Sequence, residues 1–329
     1  DDEMDEDESV LNESILEMAN ATFKPPRRLR WHYRSRHSGL IKFSNHLVYD
    51  DKLIVFPSAN EFRSDMGVSL VRVRGKYKAG TNGDEARAMV DAILKFMRTQ
   101  PTRSLGVVTL NQKQRDLLQE ELGFALQADQ AAQKYVDFWQ EQNEGLEEFF
   151  VKNLENVQGD ERDVIFIGTV YGPEEYDGPV MQRFGPINGV AGKRRLNVLF
   201  SRAKLQIVTF SSMTAADIRA EEGTNVGANM LKRWLEYSAT GILHSGETTN
   251  REPDSDFEIF VINQLKAIGC EVVPQVGIAG YFIDIGVKHP DWPHGYILGV
   301  ECDGANYHSS KSARDRDRLA YHAYSDAGR

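Results

Sequence analysis

Apolar residues recur in two rhythms along the chain. Short runs rich in β-branched and aromatic residues occupy positions 68–73, 105–110, 164–170 and 206–210, and each predicts a strand. Between these runs the period lengthens. Over residues 84–97 the apolar side chains are Ala86, Met89, Val90, Ile93, Leu94 and Met97, close to a helical turn, with Asp84 as the expected N-cap after a Gly-rich turn. Residues 112–122 predict a second helix. Residues 128–150 read as largely helical, with Tyr135, Phe138, Trp139 and Leu146 on spaced turns. Strands separated by helices predict a parallel α/β sheet with crossover connections, from Arg28 to about Ser211.

The pattern then changes. Residues 231–237 predict one more short helix, and residues 238–256, rich in Gly, Ser, Thr, Asn and Glu, read as a linker. A smaller α/β unit follows. Its predicted elements are an amphipathic helix at 257–268 ending at Gly269, strands at 271–274, 282–287 and 296–302, and a helix at 313–321. The expected organisation is an acidic linker or insertion at 1–27, an α/β domain at 28–240, a linker at 241–253 and the second α/β domain at 254–329.

Charge sharpens this division. Asp1–Glu17 carries nine carboxylates and no base, so the net charge of −10 becomes −1 without it. Arg27, Arg28, Arg30, Arg34, Arg36 and Lys42 then follow with no acid among them. The body is electrostatically mixed, and the whole-chain charge says little about a nucleic-acid partner. An acidic start without an initiator Met predicts a piece of a longer protein. Apolar runs such as 163–170 are far shorter than the ~18–20 residues of a membrane helix. No membrane span and no secretory signal is expected, and Cys270 and Cys302 alone exclude a disulfide framework or a four-cysteine zinc site. The expected compartment is the cytoplasm.

Three segments of the first domain place polar or basic residues beside an apolar strand. They are residues 29–37, residues 156–163 ahead of the strand at 164–170, and residues 194–204 ahead of the strand at 206–210. Polar loops at the strand ends of an open α/β sheet are where ligands bind, and an Arg fork suits a phosphate. A helix over 193–204 would put Asn197, Ser201 and Lys204 on one face and turn Arg195 and Arg202 toward a ligand. Each arginine could alternatively be a surface residue in a weak ion pair.

Together these segments resemble later motifs of superfamily 1 helicases of the nonsense-mediated-decay branch. They are the pair Tyr33-Arg34, the run Val157-Gln158-Gly159-Asp160-Glu161, and the run Asn197-Val198-Leu199-Phe200-Ser201-Arg202-Ala203. The resemblance covers roughly residues 28–212 and implies the second RecA-like domain of an ATP-driven motor. It implies that Arg34 and Arg202 reach the ATP γ-phosphate, that Glu161 lies near the nucleotide, and that Gln158 and Gly159 couple it to nucleic acid. No G-x-x-x-x-G-K-[ST] occurs, and Gly192-Lys193 is followed by Arg194. The phosphate cradle therefore belongs to a first RecA domain that these residues lack, and this chain alone is expected to hydrolyse no ATP.

In the second unit, acids occupy particular places. Glu258 is on the first helix, Asp284 interrupts an apolar strand, and Glu301 ends the next strand, with Asp303, Asn306 and His308 after it. A carboxylate inside an apolar strand is costly unless paired or metal-bound. Oxygen ligands from a few acids suit Mg²⁺ or Mn²⁺, and such a site can serve phosphodiester cleavage. The order resembles the restriction-endonuclease-like PD-(D/E)xK family. Gly304, Tyr307 and His308 are similar to the very-short-patch-repair endonuclease branch. The resemblance covers about residues 254–319 and implies metal held by Asp284 and Glu301, with Glu258, Asp303 and His308 in the catalytic set. Asp303 stands where the family has lysine, leaving His308 as the candidate proton carrier. More ordinary roles are a surface acid for Glu258, ion pairs with Arg314 or Arg316 for Glu301 and Asp303, and a packed histidine for His308.

The combined expectation is the C-terminal part of a bacterial superfamily 1 DNA helicase, a RecA-like parallel sheet followed by a restriction-endonuclease-like domain. Such a fusion suits DNA repair or defence against foreign DNA. A catalytically silent nucleic-acid-binding fragment and an RNA-directed helicase are the alternatives.

Overall fold

The computed structural model describes residues 15–25, 30–55, 58–220, 225–243, 252–278, 281–293 and 295–302. The first part runs α1 (Ile15–Thr22), α2 (Gly39–Val48), β1 (Gly67–Arg72), α3 (Gly83–Thr99), β2 (Leu105–Thr109), α4 (Gln112–Gln127), α5 (Gln130–Glu141), β3 (Phe150–Asn153), β4 (Arg162–Gly168), α6 (Gly189–Phe200), β5 (Ala203–Ser211) and α7 (Val226–Thr240). The five strands form one sheet in the order β1-β5-β4-β2-β3, and each neighbouring pair is parallel. The second part is α8 (Asp256–Ala267) with β6 (Glu271–Ile278), β7 (Tyr281–Lys288) and β8 (Leu298–Val300) in an antiparallel sheet of order β6-β7-β8.

A parallel sheet must bury both faces, because its crossover helices cover them. Here α2, α6 and α7 supply Leu40, Phe43, Leu196, Leu199 and Trp234 to one face, where Val108, Ile165, Ile167 and Ile207 meet them. On the other face α3, α4 and α5 bring Met89, Ile93, Leu118, Tyr135 and Trp139 against Val107, Val164, Phe166 and Phe210. Phe200 at the end of α6 stacks on Trp234 of α7 with centroids 3.7 Å apart, and Phe43 of α2 packs edge-on against both rings. Aromatic contacts of this kind are worth about 0.5–1.5 kcal/mol beyond the buried area. They fix the end of α6, from which the chain turns through Ser201 and Arg202 into β5.

Several elements differ from expectation. Asn82, not Asp84, caps α3: its extended backbone places Oδ1 to accept the Glu85 N–H at 3.0 Å, and Asp84 lies inside the first turn, paired with Arg87. The helix expected through residue 150 stops at Glu141. A four-residue edge strand, β3, then pairs Phe150–Asn153 with β2. That strand is too short to impose its own period on the sequence. The helix expected over 193–204 spans Gly189–Phe200, so Ser201 is its C-cap, Arg202 is in the turn and Lys204 is on β5. Tertiary pairing overrides helical spacing here, because Ala203 is in register with Arg162. The helix expected at 313–321 and the first fourteen residues fall outside the described residues.

Glu85 is completely buried beyond the ends of β4 and β5. Its carboxyl accepts the Val170 N–H at 2.7 Å and lies 3.5 Å from the Thr169 hydroxyl. Val170 has φ 68°, in the left-handed region, which is costly for a β-branched residue and persists only when its surroundings hold it. Burial pushes the Glu85 carboxyl up from 4.5 to about 8. Between those values the folded chain keeps a proton that the unfolded chain releases, so stability falls as pH rises through that window. Glu85→Gln removes this contribution while keeping an acceptor for Val170. In thermal melts the wild type therefore loses stability relative to Glu85→Gln as pH rises from about 4.5 to about 8. Parallel pH profiles of the two proteins would refute the role of Glu85.

Candidate functional site

Two clusters of chemical groups stand out, one on each sheet. In the parallel sheet the cluster gathers at the amino ends of β4 and β5, opposite to the carboxyl-end crevice general for open α/β sheets. The segment 31–36 runs alongside the start of β5, with the Arg36 N–H donating to the Lys204 carbonyl at 2.8 Å. This brings Arg34 to Glu161, just ahead of β4, with Nε 2.6 Å from Oε2, and to the Ser201 carbonyl at 3.1 Å. Lys204 lies 3.5 Å from the same Glu161 and 3.1 Å from Glu147. The Arg34 hydrogen bond, helped by Lys204, holds the Glu161 carboxyl below its usual value.

Arg202 is held differently. Its guanidinium donates to the carbonyls of Val198 at 2.8 Å and Asp160 at 3.4 Å and to the Ser201 hydroxyl at 3.3 Å. Among the described residues no carboxylate lies within ion-pair distance of it. Burial and the neighbouring Arg34 charge push its pKa down. Two half-buried guanidiniums side by side, one without a carboxylate, form a surplus of positive charge that an anionic group relieves. Gln158 and Gly159 are exposed on the adjoining loop, and Gly159 adopts φ 92°, a conformation natural to glycine. The structure thus brings Arg34, Glu161 and Arg202 together, with Gln158 and Gly159 at the rim.

Two further residues belong to this cluster that sequence reading did not single out. His32 is pushed down to about 4 by burial, then by Arg34 and Arg202, so it is neutral and its Nε2 accepts the Ser35 N–H at 3.2 Å. Arg162 is buried, donates to the carbonyls of Glu148 and Glu161 and lies over the Phe150 ring, fixing the loop that carries Glu161. The available signal for His32 was its place beside Tyr33-Arg34. For Arg162 it was a cation opening an apolar strand.

On the smaller sheet, Ser255 caps α8 by accepting the Glu258 N–H at 3.2 Å, and its hydroxyl donates to Glu258 Oε1 at 3.0 Å. Capping turns Glu258 inward, where it is buried, and Gln275 of β6 donates to its Oε2 at 2.9 Å. Gln275 is also buried, is hydrogen-bonded to Asp284 of β7, and takes φ 50°, uncommon for a residue with a side chain. Ile283, Ile285 and Val287 face the core of this sheet, and Asp284 lies between them on the opposite face, accepting the Cys302 N–H at 2.6 Å. Burial, followed by the Glu258 charge and then Asp254, pushes the Asp284 carboxyl up.

Glu301 is exposed, one residue beyond β8 and next to the Ile285–Val300 pair. The structure therefore joins Glu258 to Asp284 through Gln275, which sequence reading missed, and leaves Glu301 near the same end of β7. Asp303 and His308 lie outside the described residues. Among the described residues no group of three His, Cys, Asp or Glu side chains gathers around a cation position. Mg²⁺ commonly takes only one or two carboxylates and completes its shell with water and phosphate oxygens, so the oxygen donors of Asp284 and Glu301 fit its chemistry. The negative charges that raise the Asp284 carboxyl are of the kind a divalent cation offsets.

A family model described as an AAA domain, AAA_12, matches residues 11–214. The chain belongs to this AAA-domain family. Its helicase-type AAA domain is followed by a match to the restriction-endonuclease-type model REase_MTES_1575 at residues 257–328. The chain is 30% identical over 276 residues to an uncharacterized ATP-dependent helicase of Mycoplasma genitalium, covering 79% of this chain and 24% of that protein. It is 29% identical over 268 residues to the homologue from Mycoplasma pneumoniae, covering 78% of this chain and 23% of that protein. The chain thus spans about a quarter of the length of these relatives. The AAA-domain match covers the arginine cluster, and the nuclease-type match covers Glu258, Asp284 and Glu301. Among the described residues no helix is long and apolar enough to cross a membrane.

Proposed function

We propose that residues 28–240 act as the second RecA-like domain of a DNA helicase and residues 254–329 as its nuclease domain. In this reading Arg34 and Arg202 contact the γ-phosphate of ATP cradled by another RecA-like domain of the same protein. Glu161 orients Arg34, while Gln158 and Gly159 link the nucleotide to the DNA groove. The observation that carries the motor reading is the adjacency of Arg34 and Arg202 at the amino ends of β4 and β5, with Arg202 held, among the described residues, by carbonyls and a hydroxyl. A guanidinium presented in that way suits a phosphate that gathers charge during transfer.

Asp284 and Glu301 would hold Mg²⁺ or Mn²⁺ in the nuclease domain, with Glu258 beside them in the catalytic set. When bound, the metal supplies charge stabilisation and water activation for phosphodiester cleavage. Gln275 keeps Glu258 and Asp284 in one constellation, and the Cys302 N–H fixes Asp284. Asp303 joins this catalytic set in the proposal, and His308 moves the proton. The support is the bridging of Glu258 and Asp284 by Gln275 inside a region that matches a restriction-endonuclease-type family.

These 329 residues contain no G-x-x-x-x-G-K-[ST] segment. The isolated chain is therefore expected to hydrolyse no ATP with or without single-stranded DNA, while the full-length protein does. DNA-stimulated phosphate release from the isolated chain would overturn the assignment of the cradle to another domain.

A further inference from the structure

We infer that residues 58–61 of the helicase-type domain are the docking surface for the nuclease-like sheet, and that this seam couples the Arg34 arm to the Asp284 strand. The naming of arm and strand by their chemistry rests on the function proposed above, but the seam itself does not.

On the nuclease side, the Tyr296 N–H donates to the Ala59 carbonyl at 3.2 Å. Gly295 beside it is buried with φ 147°. A Cβ at position 295 would fall 2.3 Å from the Ala59 carbonyl oxygen and 3.2 Å from the Glu61 nitrogen, both backbone atoms. The two backbones approach so closely that only glycine fits. A cavity of about 50 Å³ lies in the seam, lined by Ser58 and Ala59 from one side and by Val276, Ile283, Tyr296 and Leu298 from the other. The Tyr296 ring lies over Gly286, where a Cβ would come within 2.6 Å of Cδ1. Gly286 is two residues along β7 from Asp284 and so shares its face of the strand.

On the helicase side, the same loop is tied at three points to residues 36–38, where the arginine arm runs into α2. The Ser58 hydroxyl donates to the Arg36 carbonyl at 3.1 Å. The Ser38 hydroxyl donates to Glu61 Oε1 at 2.5 Å, and the His37 ring is hydrogen-bonded to the Glu61 carbonyl at 3.0 Å. Arg36 is two residues from Arg34 and is bonded in turn to the start of β5. A change in the packing of residues 31–36 is therefore felt at Ala59 and passed to Tyr296, Gly286 and the Asp284 strand through direct contacts. Energetic coupling of this kind is reciprocal, so a disturbance on either side must register on the other.

Hydrogen exchange on the chain, followed by mass spectrometry, tests the coupling without nucleotide or cleavage. Gly295→Ala is expected to speed exchange about tenfold not only at residues 281–288 but also at residues 31–36, while β2 and β4 stay protected. Ser58→Ala, applied from the other side, is expected to speed exchange at 281–288 and 295–300. If Gly295→Ala unfolds the smaller sheet outright, Ser58→Ala decides alone. Effects of Gly295→Ala confined to residues 256–302, or of Ser58→Ala confined to residues 30–66, would overturn the inference. Loss of ATP turnover or of cleavage in a separate assay bears on the proposed function and leaves this result standing.

Discussion

Arg202→Ala in the full-length protein is expected to lower DNA-stimulated ATP turnover by on the order of 10³, the scale of a lost arginine finger. The expectation follows from how the side chain is held. Its hydrogen-bond partners among the described residues are the Val198 and Asp160 carbonyls and the Ser201 hydroxyl, so its removal breaks no ion pair at contact distance. These charge-assisted hydrogen bonds are worth about 1.5–3 kcal/mol each, and their loss, with that of the attraction to Glu161 and Asp160, is offset in part by relief of the repulsion with Arg34. The melting temperature should therefore fall modestly, with the protein still folded at assay temperature, while turnover collapses. Arg202→Lys should rescue poorly, because an ammonium cannot reproduce the planar fork. Steady-state phosphate release at saturating DNA, measured beside a thermal melt, checks both halves. A variant that melts early and loses turnover in proportion would indicate a structural arginine instead.

Asp284→Asn is expected to abolish metal-dependent DNA cleavage and leave the fold as stable as before, or more so. Asparagine keeps the shape and an oxygen to accept the Cys302 N–H. It removes a desolvated charge that stands against Glu258 and Asp254. If Asp284 helps to bind Mg²⁺ or Mn²⁺, the wild type should also gain about 2.7 kcal/mol of stability at a hundredfold excess of metal over Kd, and the variant should gain little. Melting curves with and without metal, together with cleavage of end-labelled DNA, test the two consequences separately. Cleavage by Asp284→Asn at the wild-type rate would remove Asp284 from the active site and recast the smaller domain as a DNA-positioning module.

The parts of the molecule most legible in the sequence were those where local pattern and tertiary role agree. The strands at 105–109 and 162–168 are buried on both faces, so their apolar runs carried the signal undiluted. Asp284 was legible for the opposite reason: a carboxylate between Ile283 and Ile285 breaks a pattern that burial otherwise demands. Features decided by neighbours distant in sequence were not legible. The end of α6 is set by the stacking of Phe200 on Trp234 and by strand pairing from Ala203, neither of which shows in helical spacing. The strand β3 exists because β2 offers it a partner. Gln275 looked like any polar residue after a proline, yet its amide joins two acids that lie seventeen and nine positions away. The motifs around Arg34, Glu161 and Arg202 gave the membership of the cluster. Its position at the amino ends of β4 and β5 required the fold.

In the proposed function one chain carries two separable chemistries, each built on its own sheet. The most direct test measures ATP turnover and DNA cleavage together for full-length wild type, Arg202→Ala and Asp284→Asn. The predicted result is that Arg202→Ala loses ATP turnover by on the order of 10³, while Asp284→Asn loses cleavage and turns over ATP at the wild-type rate. Wild-type ATP turnover by Arg202→Ala, or wild-type cleavage by Asp284→Asn, would contradict it.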